Sequence, residues 1–465
     1  MNPHLAAIVG GLLLFASDHP LHVWPLQFVA FVPLVLALSS RRHGVVGRCT
    51  IGLAFALAYL LPLLAAAGTS LPILVAAAAA LLEWTLLPLL LGRLLARGPV
   101  LGAFAAAAAV TAVEVAIWHL VPMFGSAQCF ARVLSAGPAL VAFAAYTGVA
   151  GVVFVQWSTQ ALVAAWLRDR RQPRALAALG IVVALVAALD VVRWQRSLGA
   201  PLRVAAVGWA GFAPAAFRLT TTLSASRKNP GLLDVFELGA GRAAAAGAQL
   251  VVTPEVGWSA DDRASAVGTL GKIAHVQKLA AAFGVWMNAT DDNWILFFDA
   301  AGELRGEYRK THLIPWLEDY AAGDGTLLHA SVGRTNVGGM ICQDDSFSDL
   351  ARAYSRDGAR LLAVPTNDWD AIREFHLENS VFRAIECGYG IVRAASNGVS
   401  ALVTPRGEVV ARADHCVVGG DVLIADLPCG DGSPTLYARL GDGLMFGLSC
   451  VVLAFALARR RAATA

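Results

Sequence analysis

Charge is what this sequence has least of. Only 15% of its 465 residues are Asp, Glu, Lys or Arg, where a soluble domain carries about a quarter. The chain therefore has too few charges to cover its own surface with water-facing groups. Blocks of like charge are also missing and the net charge is only +3, which excludes nucleic acid as a natural partner. Seven cysteines stand at 49, 129, 342, 387, 416, 429 and 450 without one C-x-x-C pair, so zinc and iron–sulfur sites are not expected. No metal and no cofactor follow from the residue pattern. An internal repeat is absent too.

The shortage of charge is uneven, and this divides the chain. Residues 1–195 are a series of apolar blocks, residues 201–438 read as an ordinary globular domain, and 440–458 is a last apolar block. Mean hydropathy is +0.61. The chain is thus read as a polytopic α-helical membrane domain with one α/β domain of roughly 235 residues, long enough to bury a full core. About eight spans are expected, at 5–17, 21–38, 50–66, 71–92, 100–121, 136–157, 175–192 and 440–458. The first lacks a basic leader and no small-residue cleavage site precedes the second, so it is retained as a span.

Basic residues fall in alternate loops. Arg41, Arg42 and Arg48, then Arg93 and Arg97, then Arg168, Arg170, Arg171 and Arg174, then Arg459, Arg460 and Arg461 all lie on one face if the count is even. That face is the cytoplasm, and the 201–438 domain faces outward; Arg132 is the exception among the intervening loops. An outward domain can hold a disulfide, and Cys416 with Cys429 is the pair to test. Glu83 and Glu114 fall inside spans, where charge is costly, so each should face protein or water. A hydrogen bond to a neighbouring helix and a place on a substrate path are both open for them. Residues Trp118 to Phe124 with Gly125 to Gln128 suggest an irregular loop.

In the globular region short apolar runs alternate with helical patterns. Strands are predicted at 203–208, 248–253, 284–290, 294–299, 335–341, 359–365, 391–395, 399–404 and 421–426, and helices at 232–246, 262–283, 346–357 and 371–388. The strands are apolar without alternation, as when both sheet faces are covered. Three of the runs end on a reactive group: Val251-Val-Thr-Pro-Glu255, Tyr308-Arg-Lys310-Thr-His-Leu-Ile-Pro315 and Gly338-Gly-Met-Ile-Cys342-Gln-Asp-Asp345. Singly these read as a cap, a solvated lysine and an inert buried thiol. Together a base, a cation and a thiol make a nucleophile site, because an ammonium favours thiolate and a carboxylate can take its proton.

These three strings resemble the motifs of the nitrilase, or carbon–nitrogen hydrolase, superfamily. The resemblance continues through Val364-Pro-Thr-Asn-Asp-Trp369, the segment from His376 to Gly388, Arg393-Ala-Ala-Ser-Asn-Gly398 and Thr404-Pro-Arg-Gly407. With the spans, the opening Phe15-Ala-Ser-Asp-His-Pro20 and Pro434 to Asp442, the chain looks like the membrane-bound apolipoprotein N-acyltransferase branch. The resemblance implies an αββα sandwich with Glu255 as general acid/base, Lys310 on the oxyanion and Cys342 as nucleophile. Glu318 matches the second glutamate of that branch, and Asp344 stands where it has a further glutamate. It also implies a multi-pass protein of the bacterial inner membrane, its catalytic domain facing the periplasm or cell exterior. The donor would be a phospholipid acyl chain and the acceptor a diacylated lipoprotein. Three departures bear on the acceptor. The long apolar arm between Glu318 and Cys342 is reduced to a short run through Tyr320, Gln343 replaces an aromatic residue, and Asp370-Ala-Ile372 replaces an aromatic–glycine pair. In the first strand Gly208-Trp209-Ala210 replaces the usual Gln-Gly-Asn. A membrane-anchored amidase with water as acceptor, and a membrane protein whose extramembrane domain has lost activity, are the other readings.

Overall fold

The computed structural model describes residues 2–40, 43–121, 125–171, 173–209, 232–418 and 420–458. Arg41, Arg42, Arg459, Arg460 and Arg461 of the charge pattern, Pro122, Met123 and Phe124 of the expected loop, and Ala210 lie outside the described residues. The chain forms two compact units, Met1–Gln195 with Leu440–Ala465, and Arg196–Arg439.

In the first unit five helices are long and apolar enough to cross a membrane: Val45–Ala67, Leu71–Leu95, Pro99–Leu120, Ala144–Arg168 and Pro173–Gln195. Pro3–Ser17 and Gly443–Ala458 are shorter apolar helices. Two expected spans need correction. In place of one helix at 21–38 there is a 3-10 turn, Trp24–Phe28, and then a seven-residue α-helix, Val32–Leu38. Pro25 and Pro33 each sit in the first turn of a new element, because proline cannot continue the hydrogen-bond ladder before it. Seven residues reach about 10 Å, against an apolar core of about 30 Å. The helix expected from residue 136 starts at Ala144, since Phe130–Ala136 and Pro138–Leu140 wind as 3-10 turns. Gly125–Gln128 is also a 3-10 turn.

Aromatic rings hold this unit together, with Phe31 4.7 Å from Trp157 and 5.6 Å from Trp84, centroid to centroid. Arg132 is not a loop charge: its Nη2 donates to both oxygens of buried Asp18, at 2.7 and 2.8 Å. The Tyr59 hydroxyl also donates to Asp18, at 3.1 Å, as does the His19 N–H at 2.8 Å. Glu114 turns toward protein and accepts the Trp118 indole N–H at 3.2 Å.

The second unit is built on thirteen described strands in two sheets. One runs β13 (Asp421–Pro428), β1 (Pro201–Gly208), β2 (Leu250–Val252), β4 (Ala280–Met287), β5 (Asp292–Phe298), β6 (Leu304–Arg309), with β3 (Trp258–Ala260) beside β4. The other runs β12 (Val409–Asp414), β11 (Val399–Val403), β10 (Gly390–Ser396), β9 (Leu361–Asn367), β8 (Thr335–Gly339), β7 (Ala330–Val332). β1 packs on β10 and β4 on β9, so the sheets lie face to face. Helices Leu232–Ala245 and Arg263–Gln277 cover the first sheet through Phe236 and Leu270 against Phe283 and Phe298. Helices Ser348–Arg356 and Arg373–Cys387 cover the second. This is the expected αββα layering.

The helix predicted to 283 stops at Gln277. Lys278 turns left-handed at φ 50° and closes it, and the apolar run from Ala280 is buried along its whole length as β4. A run without a polar face suits a central strand better than a surface helix. β3, β6, β7 and β12 were not foreseen, being short or at sheet edges where exposed polar residues break the apolar signal. Cys416 and Cys429, the pair to test, are not bridged. None of the seven cysteines is in a disulfide, Cys416 Sγ lying 3.1 Å from the Asn397 carbonyl and Cys429 Sγ 3.6 Å from that of Leu427.

Gly284 of β4 lies against the strand end that carries Glu255. A Cβ there would collide with the Pro254 carbonyl and stand 2.9 Å from Glu255 Cα. Gly284→Ala is expected to cost about 1–3 kcal/mol through overpacking, read as a lowered Tm. An unchanged Tm would show that this close approach is not needed.

Candidate active site

Three strands end at one place. β2 runs into Glu255, β6 into Lys310, and β8 through Met340 and Ile341 into Cys342. The first two belong to one sheet and the third to the other, so the packing of the sheets brings these groups together.

Lys310 is fully buried, with Nζ 2.8 Å from Glu255 Oε1 and 2.7 Å from Glu318 Oε1. Burial acts to discharge the ammonium, but the two carboxylates outweigh it and hold Lys310 well above its ordinary range. Glu255 is pinned at both oxygens. Asn293 Nδ2 donates to Oε1 at 2.7 Å and the Asn367 backbone N–H to Oε2 at 2.8 Å. Desolvation raises its pKa, Lys310 lowers it, Glu318 raises it again, and the net direction is up. Glu318 accepts the Tyr320 hydroxyl at 3.0 Å and the Ile314 N–H at 2.8 Å. Tyr320 in turn packs edge-on against Trp286.

Cys342 sits in a left-handed conformation, φ 47°, that side chains adopt only where their surroundings enforce it. Its thiol is buried, 3.8 Å from the Asn367 carbonyl. Burial and then the Glu255 carboxylate push the thiol pKa well up, against the pull of Lys310. The resting group is therefore a thiol beside a carboxylate already placed to receive its proton.

Asp344 does not reach the Lys310 ammonium; it clamps the loop that carries it. Oδ1 accepts the N–H of His312 at 2.7 Å, that of Thr311 at 3.3 Å and His312 Nδ1 at 3.0 Å. Oδ2 accepts the Tyr308 hydroxyl at 2.8 Å and the Ile341 N–H at 3.0 Å. One carboxylate thus ties the turn after Lys310 to the residue before Cys342. His312 stacks on Phe347 at 4.1 Å. Burial lowers its pKa, but hydrogen bonds to Asp344 and Asp349 prevail and raise it to about 9.

The shortened stretch after Glu318 has no described helix or strand before β7. It is stapled to the Lys310 loop, the Gly323 N–H donating to the Lys310 carbonyl at 2.7 Å. Trp316 is 60% exposed at φ 65°, whereas Trp209 is buried against Phe236. Sequence reasoning gave no role to Asn293, Tyr320 or Tyr308. Asn293 stands in an apolar strand, and a polar residue there was the one available signal. As for metals, Cys342, Asp368 and His376 bring ligand atoms within 4.8 Å of one another. Both Asp368 oxygens are already taken, by His376 Nδ1 at 2.6 Å and Arg393 Nη2 at 2.7 Å, and a guanidinium there opposes a dication. The trio reads as an ion-pair network.

The carbon–nitrogen hydrolase family profile matches residues 203–435, half of the chain. The chain belongs to the carbon–nitrogen hydrolase family. Among curated relatives it is similar to an apolipoprotein N-acyltransferase of Geobacter metallireducens, 32% identical over 34% of this chain and 32% of that one. Another, from Gloeobacter violaceus, is 31% identical over 45% of each chain, and one from Nitrosomonas europaea is 24% identical over 63% of this chain and 62% of that one. These matches span between a third and under two thirds of the relatives' lengths. Among solved structures, the amidase from Nesterenkonia sp. AN1 aligns with a TM-score of 0.42 at 21% identity, over 53% of this chain and 99% of that one.

Two outcomes are expected. Asp344→Asn turns one of the two acceptor oxygens into a donor that faces two or three of these five donors and should cost about 3 kcal/mol, seen as a lower denaturation midpoint; an unaltered midpoint contradicts the clamp. His312 has a folded pKa above its unfolded value. Its contribution is therefore fully present below about pH 6.5 and is lost as pH rises through about 9. Tm should fall between pH 7 and 10 by more in the native chain than in His312→Asn. Parallel curves would remove His312 from the account.

Proposed function

We propose that the chain is a lipoprotein N-acyltransferase of the bacterial inner membrane, with Glu255, Lys310 and Cys342 as its catalytic residues and Glu318 and Asp344 in support. One observation carries the reading. A thiol, a doubly paired ammonium and a pinned carboxylate meet in a chain that also holds five bilayer-length apolar helices. The names of the curated relatives support the same activity.

In the first half-reaction Cys342 Sγ attacks the acyl carbonyl of a phospholipid and its proton passes to Glu255. Lys310 gives two of its three N–H groups to carboxylates; the third meets the oxyanion of the tetrahedral intermediate. Glu255 then returns the proton to the departing lysophospholipid oxygen, leaving a thioester on Cys342. In the second, the N-terminal amine of a diacylated lipoprotein attacks the thioester. Glu255 takes the amine proton and delivers it to the leaving thiolate. Both substrates are held in the bilayer by their chains, so a domain on the periplasmic or outer face meets them where they are anchored. A hydrolase would admit water to the thioester, and the short segment after Glu318 is the feature that favours it; the relatives' names favour transfer.

Purified full-length protein, phosphatidylethanolamine and a diacylated lipopeptide should yield a peptide heavier by one acyl chain in mass spectrometry. Free fatty acid with an unmodified peptide would mark a hydrolase instead. Cys342→Ala should carry no thioester, and Glu255→Gln should lose about 10²–10⁴ in kcat. Thioester formed elsewhere in Cys342→Ala would sink the assignment.

A further inference from the structure

Beside Cys342 lies a second buried charge cluster that the two half-reactions do not use. Arg393, in β10, is 0% exposed. Its Nη1 donates to Asp345 Oδ2 at 3.1 Å and its Nη2 to Asp368 Oδ2 at 2.7 Å. Asp345 belongs to the 3-10 turn Cys342–Ser346. Asp368 follows Asn367, the residue whose N–H holds Glu255 and whose carbonyl faces the thiol. One guanidinium therefore spans the turn that carries the nucleophile and the turn that anchors its base.

The rest of the cluster fixes that fork. Ser380 donates to Asp345, Arg393 Nη1 also lies 3.1 Å from Ser380 Oγ, and His376 Nδ1 meets Asp368 Oδ1 at 2.6 Å. Gly398 leaves room for Asp368, since a Cβ there would overlap its carboxylate. Buried ion pairs of this kind can often be exchanged for apolar residues without loss of stability. A cluster of one arginine and two aspartates, set on the two turns of the reacting groups, calls for another account. Planar two-pronged bonding is what arginine does and lysine cannot.

We propose that Arg393 is a positioning residue for the acyl-transfer centre, holding the Cys342 turn in its left-handed conformation and Asn367 against Glu255. The proposal rests on Cys342 being the nucleophile. Two effects follow. The thiol and its base stay in register through both half-reactions, so loss of the fork falls on kcat and leaves KM near its native value. The guanidinium also favours the thiolate, opposing Asp368 and Glu255 and acting with Lys310; His376 faces the thiol from its helix as well.

The test follows iodoacetamide alkylation of Cys342 by peptide mass from pH 6 to 10, in full-length protein in detergent, with kcat and KM from the lipopeptide assay. Arg393→Gln should alkylate at least tenfold more slowly at pH 8, with its midpoint moved to higher pH and kcat lowered more than KM changes. Arg393→Lys keeps the charge without the fork, and should recover the midpoint but not kcat. If the glutamine variant does not fold, the lysine variant decides alone: native kcat in it overturns the proposal. A midpoint and rate unchanged in Arg393→Gln overturn it as well. Acyl transfer that persists in Cys342→Ala would instead reject Cys342 as the nucleophile, a separate failure.

Discussion

The second unit depends on one buried ammonium. Lys310 has two carboxylates within 2.8 Å and no exposure. An unpaired charge in that place would be too costly to keep, and two unpaired carboxylates would be costlier still. Glu255 and Glu318 come from different loops, so the cation fixes where both chains run. Glu255 in turn holds the Asn367 N–H, and that reaches into the opposite sheet. Of the three charged groups, Glu255 and Lys310 also act on the Cys342 thiol.

Asp344 plays the same part by other means. Its charge partner on the clamp is His312, and the carboxylate is satisfied largely by N–H and hydroxyl donors from the Lys310 loop and the strand that leads to Cys342. An acid stands at this position because five donors converge there, and a neutral side chain could not accept from all of them.

Much of this was legible in the sequence, for physical reasons that differ by residue. Glu255 and Cys342 could be read because each follows an apolar run that ends abruptly on a polar group, whereas Lys310 follows the polar strand β6 and was legible through the resemblance of its motif. Asn293 could not, since only the antiparallel register of β4, β5 and β6 brings it to Glu255. The same holds for Arg132, whose partner Asp18 is 114 residues away; by sequence it looked like a stray loop charge. Hydropathy counted apolar residues correctly at 21–38 but was blind to Pro25 and Pro33, which restart the helix. Edge strands β6, β7 and β12 escaped because polar residues interrupt their apolar pattern and few of their residues are buried. Cys416 and Cys429 are unbridged, their thiols facing the Asn397 and Leu427 carbonyls.

The division of the site between two sheets has a consequence for biogenesis. Glu255 and Lys310 belong to one sheet and Cys342 to the other, so neither sheet alone brings the three groups together. A newly made chain therefore has no such centre until the two halves dock. Docking of the sheets and assembly of the proposed site are one event.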